Sequence, residues 1–223
     1  LIALYRDSLP LIEAAMWSAR PDVETLGNYQ RAFREWEGLI QQRGVDSRHR
    51  FFVIVPVADR PQHLRNLLDS LLSQCRAFGY GGFDKTFKKV VVVVADDSKD
   101  RSVIRCNREI VQEFGRRGLG GIYFGANEQL EIVNAFTPVE RARLIRILGE
   151  PDESRIYHKG ASVTRNLAYL LASSFDKPGE NLFLFVDSDE QFKVRVAGPE
   201  GSENIAALNY FHSLDCLFTE RDI

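Results

Sequence analysis

Three unbroken apolar runs stand out along this chain: Phe51 to Val57, Val90 to Ala95 and Leu182 to Val186. Runs of this length without polar alternation predict strands covered on both faces, as in parallel sheets. On this pattern Leu182 to Val186 is expected to be a central strand. Between the first two runs, Leu64, Leu67, Leu68, Leu71, Leu72 and Cys75 recur at helical spacing behind Pro61, and Gly79 to Gly82 closes the segment. That is the pattern of a crossover helix, so the strands on either side of it should be parallel.

The alternation continues along the chain. Val103 to Phe114 predicts a helix and Ile122 to Phe124 a short strand; residues 127 to 159 read as an insertion with a helix at Val139 to Leu148. A helix opening at Gly160 then leads into the last strand. Residues 1 to 50 differ, because Leu11, Ile12, Ala15 and Met16, then Phe33, Trp36, Leu39 and Ile40, follow a helical period. The fold class expected is α/β, a mostly parallel central sheet with flanking helices. Residues 1–50 form a helical N-terminal extension, and residues 51–223 form the sheet domain.

Every long apolar run ends in polar residues. The first meets Ala58-Asp59-Arg60, the second Asp96-Asp97-Ser98-Lys99, and the third Asp187-Ser188-Asp189. In open α/β sheets ligands bind outside the carboxyl ends of the strands, so three acidic ends are expected to build one site. If extension persists past Val186, Asp187 and Asp189 share a face. Paired carboxylates suit Mg²⁺ or Mn²⁺, whose other positions are filled by phosphate oxygens and water. A diphosphate ligand is implied. The glycine cluster from Gly115 to Gly121 precedes a strand and lacks a Gly-Lys-Ser/Thr ending, so it reads as a loop rather than a phosphate cradle.

Composition narrows the field. With 29 basic and 31 acidic residues the net charge is −2, which gives no electrostatic case for nucleic-acid binding. Cys75, Cys106 and Cys216 are few and widely spaced, so reduced structural thiols are expected. No apolar run approaches the ~20 residues of a membrane span. A cytoplasmic protein is the expectation, although the chain begins at Leu1 and the true N-terminus is expected to lie upstream.

Taken in order, Val55 to Arg60, Ala95 to Asp100, Gly160 to Asn166 and Phe185 to Asp189 resemble the motifs of GT-A fold glycosyltransferases, in particular the inverting family-two enzymes. The resemblance covers residues 50 to 195. It implies a glycosyltransferase that takes a nucleoside diphosphate sugar, UDP-linked by analogy, as donor, with Mn²⁺ or Mg²⁺ as cofactor and a saccharide, lipid or protein as acceptor. Pro56, Asp59, Asp96, Asp97 and Arg165 are similar to the nucleotide-binding positions. Asp187, Ser188 and Asp189 resemble the Asp-x-Asp element for diphosphate and donor sugar, with Asp187 and Asp189 on the metal. Asp59 stands where the family often has Asn, and Asp96-Asp97-Ser98 lacks the glycine of the family segment.

The chain ends soon after the Asp187 motif, so an acceptor half that is short or incomplete is expected. Asp215, Glu220 and Asp222 are the late acids open to a catalytic-base role, and His212 is the late histidine open to metal. A surface or core role is the plainer expectation for each, as it is for His63 and His158. Two other enzyme readings compete. Asp187 resembles the nucleophile of haloacid-dehalogenase-like phosphatases, but Glu190 follows where that family has Thr or Val. A nucleotidyltransferase would want a glycine-rich basic loop after the first strand. A non-catalytic nucleotide-sugar-binding module, with the N-terminal helices as an oligomer contact, is the third alternative.

Overall fold

The computed structural model describes residues 1–19, 21–83, 85–149, 156–175, 180–198 and 201–220. In chain order its first elements are α1 (Ile2–Ser18), α2 (Val23–Arg43), β1 (Arg50–Val57), α3 (Pro61–Phe78), β2 (Gly82–Phe83), β3 (Thr86–Phe87), β4 (Val90–Asp96) and α4 (Arg101–Arg116). They are followed by β5 (Gly120–Phe124), α5 (Ala126–Ala135), α6 (Pro138–Leu148), α7 (Ala161–Ser173), β6 (Asn181–Phe185), β7 (Val194–Gly198), β8 (Gly201–Ile205) and α8 (Tyr210–Glu220). The chain divides into two compact units. One comprises Leu1–Arg48, Asp69–Lys89 and Gln191–Ile223, and the other comprises His49–Leu68 and Val90–Glu190.

The second unit holds the expected sheet. Its strands run in the order β5-β4-β1-β6, all parallel. β1 and β4 are interior and their apolar residues are almost wholly buried, which is why neither shows polar alternation. On one face Phe52, Ile54, Val91, Val93 and Ala95 pack with Val133 of α5, Leu148 of α6, and Leu167, Ala168 and Ala172 of α7. α4 packs against β4 and β5. The chain lays down β1, β4 and β5 to one side, then returns to the far side of β1 for β6. Such a reversal of strand order is where ligand crevices open in α/β sheets.

The strand at Asn181–Phe185 is not central. Among the described residues it pairs only with β1, stands at the sheet edge, and leaves Phe185 38% exposed. An edge strand whose rings pack inward, such as Phe183 against Phe52 at 5.7 Å, carries the same apolar run as a central one. The run therefore did not fix its place in the sheet. The pattern did not anticipate α5, with little amphipathic contrast, or the short antiparallel pairs β2–β3 and β7–β8.

The first unit is mainly helical. α1 packs on α2, and Leu9, Met16, Leu26, Tyr29, Phe33, Trp36, Ile40 and Phe78 form its core with Ala206 and Ala207. Asp22 caps α2 by accepting from the Thr25 amide at 2.8 Å, and Gly44 ends it at φ 76°, a conformation glycine adopts without cost. Among the described residues no helix is long and apolar enough to cross a membrane.

Candidate functional site

Strand-end geometry in the second unit begins at β1. Ile54 accepts from the Val186 amide at 3.0 Å, so even-numbered residues there face β6, and the pairing with β6 stops at Ile54. Pro56 lies just past that point, where its missing N–H leaves no ladder bond unmade. The chain then turns through Asp59, held at φ 52°. That left-handed conformation is uncommon for a residue with a side chain. The Asp59 amide donates to Ser98 Oγ at 2.8 Å, and its carboxylate pairs with the His158 ring. His158 is itself at φ 53°, so two strained residues meet at this edge.

Asp96 and Asp97 are both buried, and their carboxylates already have partners. Asp96 accepts from the Ser98 amide at 2.9 Å, Asn107 Nδ2 at 3.0 Å and the Tyr123 hydroxyl at 2.6 Å. Burial, with Asp96 alongside, raises the Tyr123 phenol above its ordinary value, so it stays a donor. Asp97 accepts from Lys159 Nζ at 2.6 Å, the Lys159 amide at 3.2 Å and the Gly160 amide at 3.0 Å. Its backbone carbonyl accepts from the His158 amide at 3.1 Å. Asp97 thus fixes the segment that leads into α7. Burial draws the Lys159 ammonium below its usual range, against the attraction of Asp97 and Asp96.

α7 starts at Gly160, which sits at φ 92° and supplies no side-chain cap. Thr164 donates its hydroxyl to the Gly160 carbonyl at 3.0 Å. One residue on, Arg165 pairs through Nη2 with Asp187, while its Nε is buried without a hydrogen-bond partner. Among the described residues it is the buried side-chain donor left without a partner in this unit.

Extension does not persist through the Asp187 motif. The strand ends at Phe185, and the Glu190 amide donates to the Asp187 carbonyl at 3.0 Å, closing a turn over 187–190. Alternation therefore no longer places Asp187 and Asp189 on one face. Both are exposed, as is Glu190, while Ser188 is partly covered. Among the described residues no group of three or more His, Cys, Asp or Glu side chains is arranged to hold a metal ion. The two carboxylates remain an oxygen-only donor set, which fits a hard cation that takes its other ligands from phosphate and water.

A pocket of about 360 Å³ opens at the carboxyl ends of β1 and β4. Pro56, Ala58, Asp59, Asp97, His158 and Thr164 line it, together with Gly160 and Ala161 at the start of α7. Its size falls within the range of small-molecule sites. The structure thus brings Pro56, Asp59 and Asp97 to one cavity. Asp96 lies on the other side of β4, against a separate cavity.

The late candidates lie in the first unit. Asp215 and His212 are buried in α8, and His212 packs edge-on against Phe33 at 5.2 Å and Trp36 at 4.9 Å, a core role. Glu220 ends α8, and Asp222 lies outside the described residues. His63 falls in the first turn of α3. The sequence reading missed His158 and Lys159, passing over the first as an isolated histidine. The signal available was their place directly before Gly160, where a loop must be held for a helix to start. Comparison with known proteins returned nothing: no family model, no curated protein and no solved structure matches the chain.

Proposed function

We propose that this chain is a metal-dependent glycosyltransferase, taking a nucleoside diphosphate sugar, with UDP the expected nucleotide. One observation carries the reading. Pro56 to Asp59, Asp97, and Gly160, Ala161 and Thr164 come from three motifs far apart in the sequence, and they wall a single pocket at the strand ends.

In this reading the nucleoside occupies that pocket, and the His158–Asp59 pair borders it. Asp97 acts inward, holding Lys159 and Gly160 so that the start of α7 faces the ligand. Arg165 offers its unmet Nε to the diphosphate, a charge-assisted bond for which arginine is suited. Asp187 and Asp189 are the residues that would hold Mn²⁺ or Mg²⁺, which would neutralise the charge developing on the leaving diphosphate. The acceptor's general base and the acceptor itself fall to residues outside this pocket.

The test is calorimetric titration of UDP and of GDP, with and without Mn²⁺, into the wild-type chain and Asp189→Ala. Binding selective for one nucleotide, strengthened by Mn²⁺ and weakened in the variant, is the expected result. A folded chain that binds neither nucleotide overturns the proposal.

A further inference from the structure

A second cavity in the same unit, about 370 Å³, lies on the β5 side of β4. Arg101, Arg105 and Arg108 of α4 line it, with Tyr123 of β5, Gly125 to Asn127 at the start of α5, and Tyr157. The three arginines stand at i, i+4 and i+7, so they share one helix face. Like charges at this spacing oppose helix formation, and nothing in the helix itself requires them.

Their compensation is poor. Arg101 makes no hydrogen bond or ion pair among the described residues. Arg105 reaches only Glu109, at 4.0 Å and on the exposed surface. Arg108 lies over the Tyr123 ring at 4.7 Å and approaches Glu128 at 3.8 Å. Glu128 is already engaged, accepting from the Gly125 amide at 3.1 Å. The single carboxylate in the lining, Asp96, is buried and turned to Ser98, Asn107 and Tyr123. Three guanidiniums therefore face a cavity whose one acid is spent inward.

We infer that this cavity is a binding site for a small oxyanion carrying at least two negative charges, a phosphate or carboxylate compound. Guanidinium forks clamp such groups bidentately, and the walls contributed by Tyr123 and Tyr157 leave room for a body larger than the anion alone. The site is distinct from the proposed nucleotide pocket: the segment 156–160 gives Tyr157 to this cavity and His158 and Gly160 to the other. It does not depend on the glycosyltransferase reading.

The experiment is calorimetric titration of pyrophosphate, and separately of citrate, into the full chain in EDTA at about 0.15 M salt, where diffuse charge is screened. The variants are Arg101→Gln/Arg105→Gln, a charge-matched control on exposed α6 positions, Arg143→Gln/Arg146→Gln, and Arg165→Gln. The site predicts that at least one anion binds, that Arg101→Gln/Arg105→Gln weakens it on the order of tenfold or more, and that the other two variants leave it within about twofold. The arm that binds tells phosphate from carboxylate chemistry. Absence of binding by either anion overturns the inference, and so does an equal loss in the α6 control. Loss in Arg165→Gln alone would move the anion to the Arg165 side chain and overturn it as well.

Discussion

Arg48 in the helical unit and Arg165 in the sheet unit are both arginines beside carboxylates, yet they are built for different work. Arg48 is largely buried and uses its whole fork. It donates to Glu37 at 2.5 and 2.7 Å and to Asp46 at 2.9 Å from two nitrogens, and it lies over Tyr80 at 4.6 Å and Trp36 at 5.4 Å. Nothing is left over for a ligand. Arg165 is 41% exposed, pairs with Asp187 through one nitrogen, and keeps a buried Nε unmatched. A finished arginine holds a fold together, whereas on the proposed reading the spare donor of Arg165 is kept for the diphosphate.

The sharpest way to break this contrast is Arg48→Ala. It strands the buried Glu37 without its cation, and the expected loss is about 3 to 5 kcal/mol of unfolding free energy, read by denaturant titration. The sheet unit offers a parallel case in Asp97→Asn, which leaves the buried Lys159 ammonium without its charge partner. A loss of about 3 kcal/mol is expected there. If Asp97→Asn were silent, the inward role assigned to Asp97 would be wrong.

His212 extends the comparison to pH. Burial, aided by nearby Arg48, lowers it from 6.5 to about 4, so the folded chain keeps it neutral where the unfolded chain takes up a proton. Its contribution is complete above pH 6.5 and is lost as pH falls towards 4. About 3 kcal/mol of acid sensitivity is expected from this group. His212→Phe should flatten the stability profile in that window, and an unchanged slope would remove His212 from the account. The smallest stability effect belongs to Arg165→Ala, under about 1 kcal/mol, because its pair is exposed. Its cost should fall on nucleotide affinity instead.

How far the sequence reached follows the same division. The βαβ pattern of Phe51 to Val94 specified a parallel sheet because burial on both faces removes alternation, and β1 and β4 have that burial. The edge position of β6 was not legible, since an apolar run looks alike in an edge and a central strand. Pro56, Asp59 and Asp97 could be read as strand-end candidates from local position alone. That Asp97 points inward depends on Lys159 and Gly160, 62 and 63 residues away, and no local pattern carries such a pairing. His158 was passed over for the same reason, its partner Asp59 being distant in sequence. The arginines of α4 face a cavity only because β5 and α5 fold beside them, which no local pattern carries.

The central claim, that the carboxyl-edge pocket is a nucleotide site served by an unfinished arginine, is tested most directly by UDP titration in Mn²⁺ into wild type and Arg165→Ala. The account predicts a loss of affinity on the order of tenfold or more, with unfolding free energy unchanged within about 1 kcal/mol. Equal affinity in the two chains, or a loss of affinity matched by a loss of fold, would contradict it.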